Sequence, residues 1–369
     1  MVIEANLIDF GFILLKATFW YLSNHESYMH RCIELARLAS GNVAPNPMVG
    51  AVLVHQNKII GEGFHKVYGG PHAEVNCIDS VPGKDKNLIS DSQLYVSLEP
   101  CAHFGKTPPC ADLIIRHNIT NVFVGCRDPF IEVNGKGIEK LIASGVNVTS
   151  GILEKECKAL NKRFFTFHTQ HRPYIILKWA QTADLKIGNT GNNRLMITND
   201  YTNRIVHKWR SEEAAIMAGT NTVMQDDPQL TNRLWNGNHP VRVIIDLDLR
   251  LPSSLKVFDG SVKTIIFNTL KHDEQDHITF YQVTRDVNLV HQMLNGLYQM
   301  KVLSVMIEGG ARLIQSFIDE GCWDEARVIT NPTLISQGPA ISSPILNESK
   351  IQSEELKVEN DIITTYIPA

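Results

Sequence analysis

One constellation limits this chain more than any other feature: Pro71-His72-Ala73-Glu74, followed by Glu99-Pro100-Cys101 and Pro108-Pro109-Cys110. One histidine and two cysteines are zinc-ligand types, and three protein ligands leave a coordination position open for water. That is the arrangement of a catalytic centre; a closed structural centre needs a fourth ligand. Glu74, two residues past the histidine, can face the open position as a proton carrier. Any fold the chain adopts has to bring these separated stretches to one point.

The rest of the composition narrows the setting. A length of 369 residues is comfortable for two domains. Hydrophobic content of 43% and charged content of 20% are those of an ordinary globular protein. A formal charge of −4 supplies no basic field for nucleic acid. Seven irregularly spaced cysteines point to reduced thiols and metal ligation, not a disulfide framework, and so to a cytoplasmic protein. The apolar run Gly11–Leu22 is broken by Lys16 and is too short to span a bilayer. It also lacks the basic start and cleavage site of a signal peptide. Residues 1–27 are therefore expected to be a disordered or non-native extension, with Met29 as an alternative start, and no membrane partner is expected.

From residue 28 the chain reads as alternating elements. Tyr28–Ser40 is an amphipathic helix, Val49–Val54 and Lys58–Phe64 a hairpin, and His72–Ser80 a helix. Gln93–Leu98 is a strand, and a helix starts at Pro109-Cys110. A strand (Ile119–Gly125), a helix (Gly137–Ser144) and a short strand (Val146–Thr149) follow. This α/β layered domain covers residues 28–150. It puts His72 and Cys110 in first helical turns, where thiolate is favoured, and Cys101 just past a strand end.

Taken alone, His-Ala-Glu and a cysteine pair are weak signals. A structural zinc module, with His103 as fourth ligand, is the bland alternative. The content also fits the zinc deaminase signature, H-x-E followed by P-C and a second cysteine. The gap between Cys101 and Cys110, however, is far longer than the two residues of that form. The whole segment Glu99-Pro100-Cys101-Ala102-His103-Phe104-Gly105-Lys106-Thr107-Pro108-Pro109-Cys110 resembles the corresponding block of the bifunctional deaminase/reductases of riboflavin biosynthesis. Ala44-Pro45-Asn46-Pro47-Met48-Val49-Gly50, Gly61-Glu62-Gly63-Phe64-His65 and Pro71-His72-Ala73-Glu74-Val75 are similar to that family's other deaminase blocks, in the same order.

The resemblance implies that His72, Cys101 and Cys110 bind Zn2+ and that Glu74 is the proton shuttle. It implies that Asn46 and His65 help hold the pyrimidine and its ribose, and that His103 and Lys106 reach the substrate phosphate. Asp128 is a weaker ribose candidate, because Phe130 stands where the family often has Asn.

A polar helical linker covers 151–172, ending at His171-Arg172-Pro173, and a second domain covers 173–369. Tyr174–Ala180, Ala214–Ala218, Val241–Asp246, Thr264–Phe267, Val302–Ile307, Asp324–Asn331 and Asp361–Ile367 read as strands. Helices are expected to Arg210 from a cap at Asn199 or Thr198, over Val287–Gln299 and over Ala311–Glu320. The turn Glu308-Gly309-Gly310 between strand and helix lets backbone N–H groups approach a phosphate. No G-x-G-x-x-G is present.

Leu177-Lys178-Trp179-Ala180, Leu195-Met196-Ile197-Thr198, Gly219-Thr220-Asn221-Thr222, Asp226-Asp227-Pro228-Gln229-Leu230-Thr231 and Ile307-Glu308-Gly309-Gly310 look like blocks of the same family's reductase domain. The implied whole is an α/β chain with a cytidine-deaminase-like N-terminal domain and a dihydrofolate-reductase-like C-terminal domain. Implied cofactor residues are Ala180, Met196, Asp227, Gly309, Gly310, Ala311 and Arg312, for NADPH. Implied substrate residues are Lys178, Arg210, Leu230, Arg233 and Glu308. Arg194, Met196 and Leu247 depart from the family on the cofactor side.

The resemblance implies a small phosphorylated pyrimidine substrate: hydrolytic deamination first, then reduction of the ribosyl chain by NADPH, with Lys178 or Glu308 polarising or protonating nearby. A homo-oligomer is expected, a dimer through the reductase domain or higher. The alternatives are a deaminase with an impaired reductase, and a nucleic-acid deaminase with an RNA-binding second domain. The negative charge and the long cysteine gap argue against the latter.

Overall fold

A computed structural model describes residues 24–104, 108–189, 196–334, 340–346 and 350–369. The chain divides into two compact units, the first ending at Lys162 and the second beginning at Arg163.

The first unit runs α1 (Asn24–Arg37), β1 (Gly50–His55), β2 (Lys58–Phe64), α2 (Ala73–Asp79), β3 (Gln93–Leu98), α3 (Cys110–Arg116), β4 (Asn121–Cys126), α4 (Lys136–Ala143), β5 (Asn147–Ser150) and α5 (Glu154–Leu160). Its sheet has the order β2-β1-β3-β4-β5, with β3, β4 and β5 parallel and β1 antiparallel to both neighbours. The central strands bury both faces, which explains their unbroken apolar runs. Ala51, Leu53, Leu94, Val96, Val122 and Val124 share one face with Cys77, Ile114 and Leu141 from the helices. α1 packs against β1 and β3, and α5 against β4 and α1.

α1 begins four residues earlier than Tyr28, so Asn24–Ser27 belong to the fold and not to an extension. The reason is aromatic packing. His25 stacks on Phe123 at 4.4 Å and its Nδ1 lies 2.7 Å from the Tyr95 hydroxyl. Tyr95 stacks on Phe123 in turn, at 4.6 Å.

The expected linker is two helices, α5 and α6 (Lys162–Gln170). The second unit takes in α6 because Arg163 pairs through two nitrogens with buried Glu213, and Phe164 and Phe167 are buried. It continues with β6 (Tyr174–Thr182), β7 (Lys186–Asn189), α7 (Asp200–Glu212), β8 (Ala215–Gly219), α8 (Thr220–Asp226), β9 (Val241–Ile245) and β10 (Thr264–Asn268). Then come β11 (Asp273–Gln275), β12 (Ile278–Gln282), α9 (Leu289–Gln299), β13 (Ser304–Glu308), α10 (Ala311–Asp319), β14 (Glu325–Asn331), β15 (Ala340–Ser342), β16 (Lys350–Val358) and β17 (Asp361–Pro368).

The large sheet has the order β11-β12-β10-β9-β8-β13-β6-β14-β17-β16. From β12 to β14 every pairing is parallel. Side chains alternate between two buried faces. Ile175, Leu177, Met217, Val243, Val305 and Ile307 meet α9 and α10 on one of them. Ile216, Ala218, Ile244 and Ile266 are packed on the other with Leu230 and Val257. Asn199 caps α7 by accepting from Thr202 N at 2.8 Å. The sequence reading missed α8, β7, β11, β12, β15 and β16. They are short, or, like β16, so polar and exposed that no apolar alternation marks them.

Candidate active sites

In the first unit the site lies beyond the C-terminal ends of the parallel strands β3 and β4. Cys101 follows β3, Cys110 opens α3, and His72 is the N-cap of α2. Their ligating atoms all lie within 4.8 Å of one another. His72 Nδ1 is 3.3 Å from Cys110 Sγ and 3.5 Å from Cys101 Sγ. Tetrahedral zinc with bonds of about 2.1–2.3 Å separates its ligands by roughly 3.5 Å, so this donor set fits the ion. The backbone N–H of Cys110 points at Cys101 Sγ (3.3 Å) and stabilises charge there. Hydrogen bonds from Cys110 and His72 pull the Cys101 thiol down to about 4, while Cys110 is held up by the shared proton and by burial.

Glu74 is buried in the first turn of α2. Burial raises its carboxyl above the usual range, with the Cys101 thiolate adding to the effect. His65 is buried, and its ring lies 5.5 Å from that of His72. Its Nδ1 donates to Pro71 O (2.9 Å), so Nε2 accepts from Asn46 Nδ2 (3.0 Å). The pair is thereby fixed as a unit beside the ligands. His103 Nδ1 is buried with no hydrogen-bond partner among the described residues, and its ring approaches Phe130 at 6.2 Å. Asp128 follows β4, accepts from Phe130 N, and is pushed up to about 7 by burial. Lys106 lies outside the described residues.

The sequence reading gave Glu99 no role. Its buried carboxylate accepts the backbone N–H groups of Asp128 (3.3 Å), Gly135 (2.9 Å), Gly137 (3.0 Å) and Ile138 (3.4 Å). It therefore ties the loop after β4 to the strand end that leads into Cys101. Gly137 is required at this junction, because a Cβ there would sit 1.8 Å from Pro100 O. The only sequence signal is a glutamate in an otherwise apolar strand end.

In the second unit Glu308 is the last residue of β13 and pairs across the sheet with Lys178 on β6. Lys178 Nζ lies 4.0 Å from Glu308 Oε2. Arg210, in the last turn of α7, makes a two-nitrogen contact with Glu308, Nε to Oε1 at 2.8 Å and Nη2 to Oε2 at 2.6 Å. Its Nη1 donates to Thr231 O at 3.1 Å. Burial alone would raise Glu308, but Arg210 and Lys178 outweigh it and hold the carboxyl down at about 2.

Gly309 and Gly310 have φ of +82° and +77°, and Thr222 covers both, 3.0 Å and 3.2 Å from where a Cβ would be. The turn thus needs glycine for conformation and for space, and it brings the Gly219–Thr222 and Ile307–Gly310 blocks together. Ala311 is half-buried and Arg312 exposed at the start of α10. Ala180 packs beside Val206, Ile329 and Ile363. Arg233 donates from Nη1 to Thr231 Oγ1 at 3.0 Å.

Three expected contacts look different in the structure. The Leu230 side chain is core, so only its backbone, at φ +50°, could meet a ligand. The Asp227 carboxylate accepts from Lys256 N (2.8 Å) and pairs with Lys256 Nζ (3.1 Å), closing a loop. Met196 is exposed and Leu247 packs against the larger core, while Arg194 is outside the described residues.

An α/β unit with a His-Cys-Cys centre beside a buried glutamate, joined to a mainly parallel unit with a glycine-turn site, defines a two-headed enzyme: a zinc-dependent deaminase and a reductase. Residues 22–126 match the cytidine and deoxycytidylate deaminase zinc-binding region, and residues 173–365 match the RibD C-terminal domain. The chain is 38% identical to the riboflavin biosynthesis protein RibD of Aquifex aeolicus, over 91% of this chain and 95% of the relative. It is 37% identical to that of Bacillus amyloliquefaciens, over 89% of each. A Thermotoga maritima crystal structure, described as a diaminohydroxyphosphoribosylaminopyrimidine deaminase/5-amino-6-(5-phosphoribosylamino)uracil reductase, superposes with a TM-score of 0.85 at 35% identity. It covers 94% of this chain and 99% of that one. The chain belongs to the RibD family of bifunctional riboflavin-biosynthesis enzymes, with a cytidine-deaminase-like and a dihydrofolate-reductase-like domain and with zinc and NADPH as cofactors. No described helix is long and apolar enough to cross a membrane.

Proposed function

We propose that the first unit deaminates 2,5-diamino-6-ribosylamino-4(3H)-pyrimidinone 5′-phosphate at the carbon bearing the 2-amino group, and that the second reduces the ribosyl chain of the product to ribityl. The observation that carries the reading is the pair of buried glutamates, one beside three zinc-ligand atoms and one between Arg210 and Lys178.

His72, Cys101 and Cys110 would hold zinc, which when bound supplies a water of about neutral pKa. Glu74 sits in a low-dielectric pocket that raises its proton affinity. It takes the proton of the attacking water, passes it to the ring nitrogen, and then protonates the departing amine. The locked Asn46–His65 pair and Asp128 line the same strand ends and would hold the base and ribose. His103 and Lys106 would meet the phosphate.

In the second unit NADPH, when bound at Gly309, Gly310 and the start of α10, supplies the hydride delivered to C1′ of the opened sugar. Glu308 is ionised across the working range and is suited to accept sugar hydroxyl protons in hydrogen bonds, not to donate one. Lys178, next to it, is the proton donor. Arg233 holds the phosphate, with Arg210 fixing Glu308 and the Thr231 backbone.

A cytoplasmic homo-oligomer acting without nucleic acid or membrane completes the reading. The −4 charge supports the reading that nucleic acid is not a partner. Exposed Ile351 and Leu356 on the edge strand β16, with Ile362 and Ile367 on its neighbour β17, support a dimer through the reductase unit. The test is ammonia release from the diaminopyrimidine phosphate, followed by NADPH oxidation with its deaminated product. Zinc content should be about one per chain. Active deamination without NADPH oxidation would reduce the protein to a deaminase.

A further inference from the structure

The segment Thr231–Leu234 is held in an unusual way. Three consecutive backbone N–H groups donate to histidine ring nitrogens: Asn232 N to His239 Nδ1 (3.2 Å), Arg233 N to His207 Nδ1 (2.8 Å) and Leu234 N to the same Nδ1 (3.4 Å). His207 is 5% exposed and lies on α7, one turn before Arg210. Arg210 holds the carbonyl side of the same segment through Thr231 O, and the Thr231 hydroxyl accepts from Arg233 Nη1. One helical turn thus grips the segment by a carbonyl and two amides.

A ring nitrogen that accepts two N–H groups carries no proton, so His207 is neutral with its hydrogen on Nε2. Burial, and then Arg210 and Arg233, push its pKa down to about 4 and keep it so. Neither the hydride step nor the proton step of the reductase uses this ring.

We propose that His207 is a positioning residue: its unprotonated Nδ1 fixes the Thr231–Leu234 backbone and so the direction in which Arg233 offers its guanidinium to the substrate's 5′-phosphate. The inference rests on the reading of Arg233 as a phosphate-holding residue. A guanidinium fork binds phosphate well only when its direction is set. The backbone two bonds from the side chain is the economical place to set it.

The test uses the full-length protein with zinc and NADPH, and two substrates: the deaminated phosphoribosyl pyrimidine and the same compound lacking the 5′-phosphate. Arg233→Ala should lower the preference for the phosphorylated substrate. His207→Ala should raise its KM on the order of tenfold, from two lost hydrogen bonds, and leave kcat within about twofold. The preference for phosphate should fall by the same factor, while the KM of the dephosphorylated compound stays put. His207→Gln, whose carbonyl oxygen can accept the same N–H groups, should recover most of the loss. Tryptophan fluorescence melting of the same preparations checks that the second unit is folded, and deaminase activity that the first is intact.

An equal loss on both substrates overturns the inference, as does a failure of His207→Gln to recover the KM while deamination is normal. If Arg233→Ala leaves the phosphate preference unchanged, the phosphate reading and the inference fall together. If Arg233→Ala lowers it and His207→Ala does not, only the inference falls. Should His207→Ala not fold, the comparison of His207→Gln with His207→Leu decides on the same ratio.

Discussion

Each unit buries a glutamate in its candidate site, Glu74 in one and Glu308 in the other, and the two carboxyls move in opposite directions. Glu74 has thiols and a histidine for neighbours, and burial raises its proton affinity. Glu308 is as deeply enclosed, yet Arg210 and Lys178 hold it down at about 2. The difference fits the roles proposed for the two carboxyls. A carboxyl with raised proton affinity is suited to take up a proton; one locked as an anion can only attract cations and accept hydrogen bonds.

The sharpest way to break this comparison is Glu74→Gln. The amide has the same shape and cannot cycle a proton, so deamination should fall roughly 10³-fold. NADPH oxidation with the deaminated product should keep its rate. Ammonia release and NADPH absorbance on one preparation separate the two. A small effect on deamination would remove Glu74 from the proton path.

Glu308→Gln tests the other side and should do a different kind of damage. It leaves Arg210 buried without its anion, a loss of about 3–5 kcal/mol to the second unit. Reduction should drop about 100-fold, while deamination at a temperature where both units are folded should hold. If Glu308 were the proton donor instead, activity would collapse without a matching loss of stability. Thermal unfolding followed by tryptophan fluorescence decides this. Trp179, Trp209, Trp235 and Trp323 all lie in the second unit, so the signal reports mainly on it.

How far each site could be read from the chain follows the same division. His72 and Cys110 are 38 positions apart, and the residues between them carry the distinctive prolines and glycines, so the deaminase centre was legible as a motif. Arg210 and Glu308 are 98 positions apart, and nothing local announces that they bind each other. Assigned separately to the substrate, they turn out to hold one another. Asp227 and Leu230 share a contiguous block, but only the fold shows one carboxylate closed on Lys256 and the other side chain sunk in the core. His207 and Glu99 are silent in the sequence because their partners are backbone N–H groups, which no sequence displays. Asn24–Ser27 carry no local sign of belonging to the fold, because the value of His25 lies in contact with distant Tyr95 and Phe123.

Gly137→Ala is a medium-sized test of how tightly the first centre is stitched. A methyl group 1.8 Å from Pro100 O forces the loop after β4 away from the Glu99 carboxylate. The expected cost is about 2–3 kcal/mol of first-unit stability. A raised KM for the diaminopyrimidine and weaker zinc retention against a chelator should accompany it. The reductase should be untouched. Unchanged zinc retention would mean that the loop and the Cys101 approach are independent.

The smallest effect is a pH dependence confined to the second unit. The pKa of His207 is depressed on folding, from an ordinary value near 6.5 to about 4. The stability it contributes is therefore present above about 6.5 and is lost as pH falls toward 4. His168, lowered by burial, adds in the same direction. Glu308 is also depressed, to about 2, so its contribution stays intact until the pH falls below about 4.5. Between pH 7.5 and 5 the melting point read by tryptophan fluorescence should thus decline through His207 and His168, against a smaller opposing contribution from Glu212, whose pKa burial raises, and with the Arg210–Glu308 pair unaffected. His207→Gln has no proton to gain and should flatten the decline without abolishing it. A decline of the same slope in His207→Gln would place the proton uptake elsewhere in the unit and would mean that folding does not hold His207 neutral.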